Sequence, residues 1–188
     1  MATGIILAGG YSSRAKTNKM ALKILDKPLL QHTIEAMKDC VDAVIVVSGY
    51  YHEALKPLIK PYESATLIHN PYYDQGMFES VKCGIKHASN SVLIQPGDMP
   101  FIKKSTYQAL LNTQGKIGVP THKGKRGHPI YIDMTLKRDL LNTKEPHLKA
   151  FRNLYAVQEI PVDDAGILID IDTKADYLKF REGLKDED

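Results

Sequence analysis

Short, uninterrupted apolar runs alternate with amphipathic stretches along this chain, and the alternation predicts strands and helices in turn. The run from Gly4 to Ala8 predicts a strand over Ile5–Ala8. Ala43–Ser48 (Ala-Val-Ile-Val-Val-Ser) predicts one buried on both faces of a parallel sheet. Thr66–His69, Ser91–Gln95, Lys116–Pro120, Val157–Val162 and Ile167–Ile171 read as further strands, and Gly127–Ile132 as extended. Helices are expected over Pro28–Lys38, where Pro28 suits a first turn, over His52–Ile59, ended by Pro61, and over Lys103–Leu111. Gly76–His87 carries Met77, Val81 and Ile85 at near-helical spacing. Shorter helical pieces are expected at Leu136–Leu141 and Leu148–Phe151, and a last helix at Lys174–Gly183, capped by Asp172 or Thr173.

Repeated β-α-β units with right-handed crossovers build a mostly parallel sheet with helices on both faces. The 188 residues, 43% of them hydrophobic, can fill one core, and no repeat, low-complexity tract or Pro/Gly-rich linker divides them. The expectation is therefore an α/β fold in a single domain, residues 1–188. The formal charge of +3 comes from Lys and Arg that are scattered rather than striped, which argues against a nucleic-acid partner. Apolar runs stay short of the ~18 residues of a membrane span. The N-terminus enters a strand without a charged leader, and Cys40 and Cys83 are too few and too far apart for a zinc knuckle. A soluble, cytoplasmic protein without a membrane partner is expected.

Candidate chemistry begins where the first strand stops. Leu7-Ala8-Gly9-Gly10-Tyr11-Ser12-Ser13-Arg14, closed by Lys19, places two glycines, small hydroxyl residues and two cations just beyond an apolar run. Glycine lets backbone N–H groups approach a polyanion, and Arg14 and Lys19 bring the charge that phosphates need. Ligands of open α/β sheets dock beyond the carboxyl ends of strands, so this bend reads as a triphosphate loop. It is neither of two familiar phosphate loops: the chain has no G-x-x-x-x-G-K-[ST], and its first turn lacks G-x-G-x-x-G.

A second element, Gln95-Pro96-Gly97-Asp98-Met99-Pro100, sets Asp98 just past a buried strand. A carboxylate there, beside phosphates, suits Mg²⁺, which takes one or two carboxylates plus substrate oxygens. The third, Leu168-Ile169-Asp170-Ile171-Asp172-Thr173, puts two carboxylates at alternate strand positions and so on one face. Asp170 is preferred as the second metal ligand and Asp172 as a helix cap.

These elements occur in a fixed order: L-A-G-G-x-S-x-R with Lys19; Gly76-Met77 with Ser80 and Gly84; Gly97-Asp98-Met99-Pro100; Gly127-His128-Pro129; Asp170-Ile171-Asp172-Thr173. From Gly4 to Tyr177 the chain resembles the nucleotidyltransferases related to the molybdenum cofactor (molybdopterin) cytidylyl- and guanylyltransferases. The resemblance implies a Rossmann-like α/β/α sandwich of the nucleotide-diphospho-sugar transferase type. It also implies transfer of a nucleoside monophosphate from an NTP to a phosphorylated small-molecule acceptor, with Mg²⁺ required and pyrophosphate released. Carried over by residue, Leu7, Ala8, Gly9, Gly10, Ser12 and Arg14 line the triphosphate and base, Lys19 binds the phosphates, and Asp98 holds the metal. Asn70, Gly76, Met77 and Ser80 match the segment that recognises base and ribose, and Gly127, His128 and Pro129 match the acceptor-side strand.

CTP is favoured over GTP. Molybdopterin is the first acceptor implied, ahead of sugar phosphates and methylerythritol phosphate, and contact with a molybdoenzyme or its chaperone is an implied partnership. The family's Arg-Met-Gly-x-x-Lys is replaced by Arg14-Ala15-Lys16-Thr17-Asn18-Lys19. Lys16 at a glycine position raises a second reading, a catalytically weak nucleotide-binding module assisting cofactor maturation.

Overall fold

The architecture follows from strands that are apolar on both sides. In the computed structural model, residues 1–10, 18–173, 175, 176, 178 and 179 are described. The order is β1 (Ala2–Ala8), a 3-10 turn (Lys19–Ala21), β2 (Lys23–Ile24), β3 (Lys27–Pro28), α1 (Leu29–Lys38), β4 (Ala43–Ser48), α2 (His52–Ile59), β5 (Ala65–His69), α3 (Met77–His87), β6 (Ser91–Pro96) and α4 (Lys104–Leu111). Then come β7 (Ile117–His122), β8 (Lys125–Arg126), β9 (Ile130–Ile132), α5 (Lys137–Asn142), α6 (Leu148–Arg152), β10 (Val157–Pro161) and a 3-10 turn over Ala165–Leu168.

The main sheet runs β10-β7-β9-β6-β1-β4-β5, with β8 paired to β7. Strands β6, β1, β4 and β5 are mutually parallel, and β10 is parallel to β7. Strand β9 lies antiparallel between β6 and β7. Because side chains alternate across a strand, β1 sends Ile6 and Ala8 to one core and Ile5 to the other. The first core takes Leu30, Ile34 and Met37 of α1, Leu55 of α2 and Leu110 of α4. The second takes Phe78, Val81 and Ile85 of α3, Leu140 of α5 and Phe151 of α6. The result is the α/β sandwich with a mostly parallel sheet that the alternating pattern predicts. No helix among the described residues is long and apolar enough to cross a membrane.

Three local expectations are corrected. Ile167–Ile171 is not a strand, because the buried Asp164 carboxylate accepts hydrogen bonds from Gly166 N–H (2.9 Å), Lys103 N–H (2.8 Å) and the Thr106 hydroxyl (2.6 Å) and winds Ala165–Leu168 into a 3-10 turn. The one-face argument for Asp170 and Asp172 falls with that strand. Gly127–Ile132 is divided, with only Ile130–Ile132 in the sheet, where it breaks the all-parallel pattern. The hairpin β2–β3 was not foreseen: it turns at Leu25, whose φ of 54° is one usually marked by Gly or Asn.

Close packing of α3 on the sheet has a testable consequence. A Cβ at Gly84 would lie 2.7 Å from Cγ2 of Ile5 and 3.1 Å from Cγ2 of Val47. Gly84→Ala gains about 1 kcal/mol of helix propensity, but overpacking two buried strand residues costs about 1–3 kcal/mol. Urea denaturation is expected to show a net loss; a midpoint at or above that of the native protein would contradict the packing argument.

Candidate active site

The parallel strands β1, β4, β5 and β6 end on one edge of the sheet. The chain first builds outward from β1 through β4 to β5 and then crosses to β6 on the other flank of β1. That reversal makes the β1–β6 boundary the topological switch point, where ligands of such sheets bind. Leu7 carries the contact between the two corners: its carbonyl accepts the Gly97 N–H at 2.9 Å. Gly97 is buried, and a Cβ there would lie 2.7 Å from Sδ of Met20. Met20, 9% exposed, anchors its turn in the core by lying over this glycine. The Asn18 side chain caps the same turn by accepting the Met20 N–H at 3.2 Å. Anchor and cap together carry Lys19 to the mouth of β6.

There the Lys19 ammonium donates to Asp98 Oδ2 at 2.8 Å and to Asp172 Oδ1 at 2.6 Å. Its side chain is only 11% exposed, against 22% for Asp98 and 54% for Asp172. Burial works against the charged lysine, but the hydrogen bonds and charges of Asp172 and Asp98 outweigh it and raise its pKa above the ordinary value. Lys19 is therefore a fixed cation. Asp98 is held through its backbone as well, its carbonyl accepting the N–H of the buried Ile171 at 2.8 Å.

The sequence assigned Asp170 to a metal and Asp172 to a helix cap. Among the described residues Asp170 is exposed and makes no hydrogen bond or ion pair, while Asp172 shares Lys19 with Asp98. The cap is Thr173, whose hydroxyl accepts the Asp176 N–H at 3.1 Å while the Asp176 carboxylate accepts the Thr173 N–H at 2.7 Å. Asp172 as a cap is thus a correction, and its physical reason is the competing pull of the Lys19 charge.

A second group of expected residues gathers beyond β1, β4 and β5. Asn70 is buried, receives the Tyr72 N–H on Oδ1 at 3.0 Å and donates from Nδ2 to the Ser80 hydroxyl at 3.0 Å. Ser80 in turn touches Gly9, where a Cβ would lie 3.0 Å from its Oγ. Gly76, with φ of +111°, turns the chain into α3 in a conformation that favours glycine, and Met77 is left 66% exposed beside it. Ala8 is buried at the end of β1, and Gly10 is exposed with open space where a Cβ would stand. Ser12, Arg14 and Lys16 lie outside the described residues.

Sequence reasoning missed Gly49, which follows β4 as Gly9 follows β1. A side chain there would collide with the Gly9 carbonyl and Tyr73. The same strand-end glycine signal could have found it. It also missed the ring cluster beside it, His52 and His69 at 4.9 Å between centroids and His69 and Tyr73 at 6.3 Å. Ser48 Oγ lies 2.6 Å from His52 Nδ1 but is fully buried and donates to the Ile68 carbonyl, so the pair is structural rather than nucleophilic.

Of the Gly127-His128-Pro129 segment, the His128 backbone N–H donates to the Ile167 carbonyl at 3.0 Å, and its Nδ1 is buried with no hydrogen-bond partner among the described residues. Burial holds the imidazole below its ordinary pKa, the Ile94 backbone and Asp98 oppose that, and Arg152 adds to it. The ring is accordingly neutral at neutral pH.

Asp98 Oδ1 is likewise buried and has no hydrogen-bond partner among the described residues. A hard, anionic oxygen left unsatisfied just past the end of β6 suits a divalent cation. No group of three or more His, Cys, Asp or Glu able to hold a metal occurs among the described residues. A cation here would have to share its coordination with substrate oxygens.

The chain is 28% identical over 184 residues to the molybdenum cofactor cytidylyltransferase of Escherichia coli, covering 95% of this chain and 94% of that protein. It is 25% identical over 201 residues to a probable molybdenum cofactor guanylyltransferase of Thermococcus sibiricus, covering 97% and 98%. The crystal structure of Rv0371C from Mycobacterium tuberculosis in complex with manganese has the same fold, with a TM-score of 0.76 at 21% identity over 96% of this chain and 98% of that one. Residues 4–159 match the model of one family, and the chain belongs to it: the MobA-like NTP transferase domain family of nucleotidyltransferases.

Proposed function

We propose that this protein transfers CMP from CTP to a phosphorylated acceptor, with molybdopterin as the first candidate, and releases pyrophosphate. The observation that carries the reading is the Lys19 ammonium held between Asp98 and Asp172 at the mouth of β6, one strand from the glycine bend that ends β1. The reaction requires an acceptor phosphate oxygen to attack the α-phosphorus in line, forming one P–O bond as the bond to pyrophosphate breaks. A phosphate oxyanion is already a nucleophile, so no general base is needed. Positioning and charge neutralisation supply the rate.

Lys19 is suited to the triphosphate, because two carboxylates keep it charged and aimed before any substrate arrives. Asn70 and Ser80 hold each other in the geometry of a ribose and base pocket, with Gly9 and Gly76 keeping its walls free of side chains. Asp98, through its unsatisfied Oδ1, would hold Mg²⁺, with the second carboxylate coming from Asp170 or from Asp172, which shares Lys19 with Asp98. Bound there, the ion would supply charge neutralisation and orientation of phosphate oxygens. CTP is preferred over GTP because the cytidylyltransferase relative matches nearly the whole chain at the higher identity of the two.

A thermal-shift series with CTP, GTP, ATP and UTP, with and without Mg²⁺, tests the reading directly, since a ligand that binds only the folded state raises the midpoint. Selective, Mg²⁺-dependent stabilisation by CTP is expected, followed by pyrophosphate release when molybdopterin is added. Stabilisation by GTP alone would transfer the base assignment. Stabilisation without release against any phosphorylated acceptor would favour a binding module.

A further inference from the structure

Arg152, at the end of α6, is only 8% exposed, and its Nε is buried with no hydrogen-bond partner among the described residues. No carboxylate pairs with it among the described residues. A guanidinium presents five donors and stays charged, so burying one unpaired is costly. Buried guanidinium nitrogens are ordinarily matched to an acceptor, and among the described residues this Nε is not.

Its electrostatic neighbours make the mismatch sharper. The like charge of Arg126 in β8 acts against it, and Arg126 has its own carboxylate, donating to Glu159 at 2.8 Å from Nε and 2.6 Å from Nη2. The His128 ring also feels the Arg152 charge, and its Nδ1 is a second buried nitrogen without a partner. The Arg152 charge is thus coupled to a second guanidinium and to the His128 ring, on which the Asp98 carboxylate also acts.

The place is informative. Arg126 pairs with Thr121 near the carboxyl end of β7, and His128 precedes Ile130, which pairs with Ile94 of β6. Both lie on the same sheet edge as Asp98, on the β9–β7 flank of β6. The glycine bend ends β1, on the opposite flank of β6. Two substrates meeting at Asp98 would approach from these two sides.

We propose that Arg152, whose charge is coupled to Arg126 and His128, receives an anionic phosphate group of the acceptor substrate; the identity of the occupant rests on the transferase reading above. The guanidinium plane matches two phosphate oxygens at once. Filling the site gives the buried Nε an acceptor and the guanidinium a counter-charge, so binding and local order rise together.

Inorganic phosphate is the probe. Its titration into the full-length protein is followed on the arginine Nε–H resonances, with Arg152 assigned by its disappearance in Arg152→Lys. Phosphate is expected to shift the Arg152 signal saturably and to raise the thermal midpoint. In Arg152→Met the phosphate dissociation constant is expected to rise at least about tenfold, while the phosphate-free midpoint rises above the native value because the unpaired charge is gone. An unmoved Arg152 resonance, or an equal phosphate effect on native and Arg152→Met midpoints, would overturn the site.

The same titration repeated with Mg²⁺ and non-hydrolysable α,β-methylene-CTP separates the two sources of phosphate. Acceptor occupancy predicts that phosphate still shifts Arg152 with the nucleotide bound. Loss of that shift, with the nucleotide alone moving Arg152, would assign the site to the triphosphate and overturn the proposal. If no nucleotide binds at all yet phosphate shifts Arg152, the anion site stands and the transferase reading fails instead.

Discussion

Replacing Asp98 by asparagine is expected to lower turnover by about 10³-fold, because a metal-held phosphate centre contributes several kcal/mol of charge stabilisation to the transition state. Asparagine keeps the size of the side chain and an oxygen acceptor but removes the negative charge. Lys19 retains Asp172 as a partner, and the Asp98 carbonyl goes on accepting the Ile171 N–H, so the fold should persist. The measurement is pyrophosphate release from CTP with molybdopterin, alongside a thermal melt. Turnover within a few-fold of native in a folded variant would remove Asp98 from the chemistry.

Lys19→Ala is expected to weaken Mg-CTP binding by about 10–100-fold, the equivalent of about 1.5–3 kcal/mol for hydrogen bonds to a charged group. Its second effect is electrostatic. Asp98 and Asp172 both reach the same ammonium, so its loss leaves two carboxylates facing each other across two hydrogen-bond lengths. Mg²⁺ alone should then raise the melting midpoint of the variant more than that of the native protein. Calorimetry with Mg-CTP decides the first claim, and unchanged affinity would place the triphosphate elsewhere.

Much of the site was legible because strand ends announce themselves. Apolar runs stop at Gly9 and at Pro96-Gly97, and each stop lies where the folded chain turns out of the sheet at its carboxyl edge. Lys19 and Asp98 could be singled out by charge type and position after such stops. Asp172 was misread because two structural roles compete there, cap and ion pair, and a linear sequence does not show that an ammonium from the other end of the chain arrives first. Arg152 was not singled out at all. Nothing in Leu148-Lys149-Ala150-Phe151-Arg152 distinguishes it from a surface arginine until α6 packs Phe151 into the core and draws its neighbour in.

Local physics also explains the fold-level misses. The 3-10 turn at Ala165–Leu168 depends on Asp164 bonding to Lys103 and Thr106, about sixty residues away in sequence, so its β-like composition misleads. Strand β9 is antiparallel although its three apolar residues look like any other buried strand. Direction is a property of where the chain has to go, and side-chain polarity carries no trace of it.

By itself, the sequence determined an α/β sandwich and a glycine bend with a lysine at the first strand's end, because hydrophobic period, glycine and charge act over a few neighbouring residues. The tertiary structure alone decided which aspartate meets Lys19, which way β9 runs and which arginine is buried, because each depends on contacts between segments far apart in the chain.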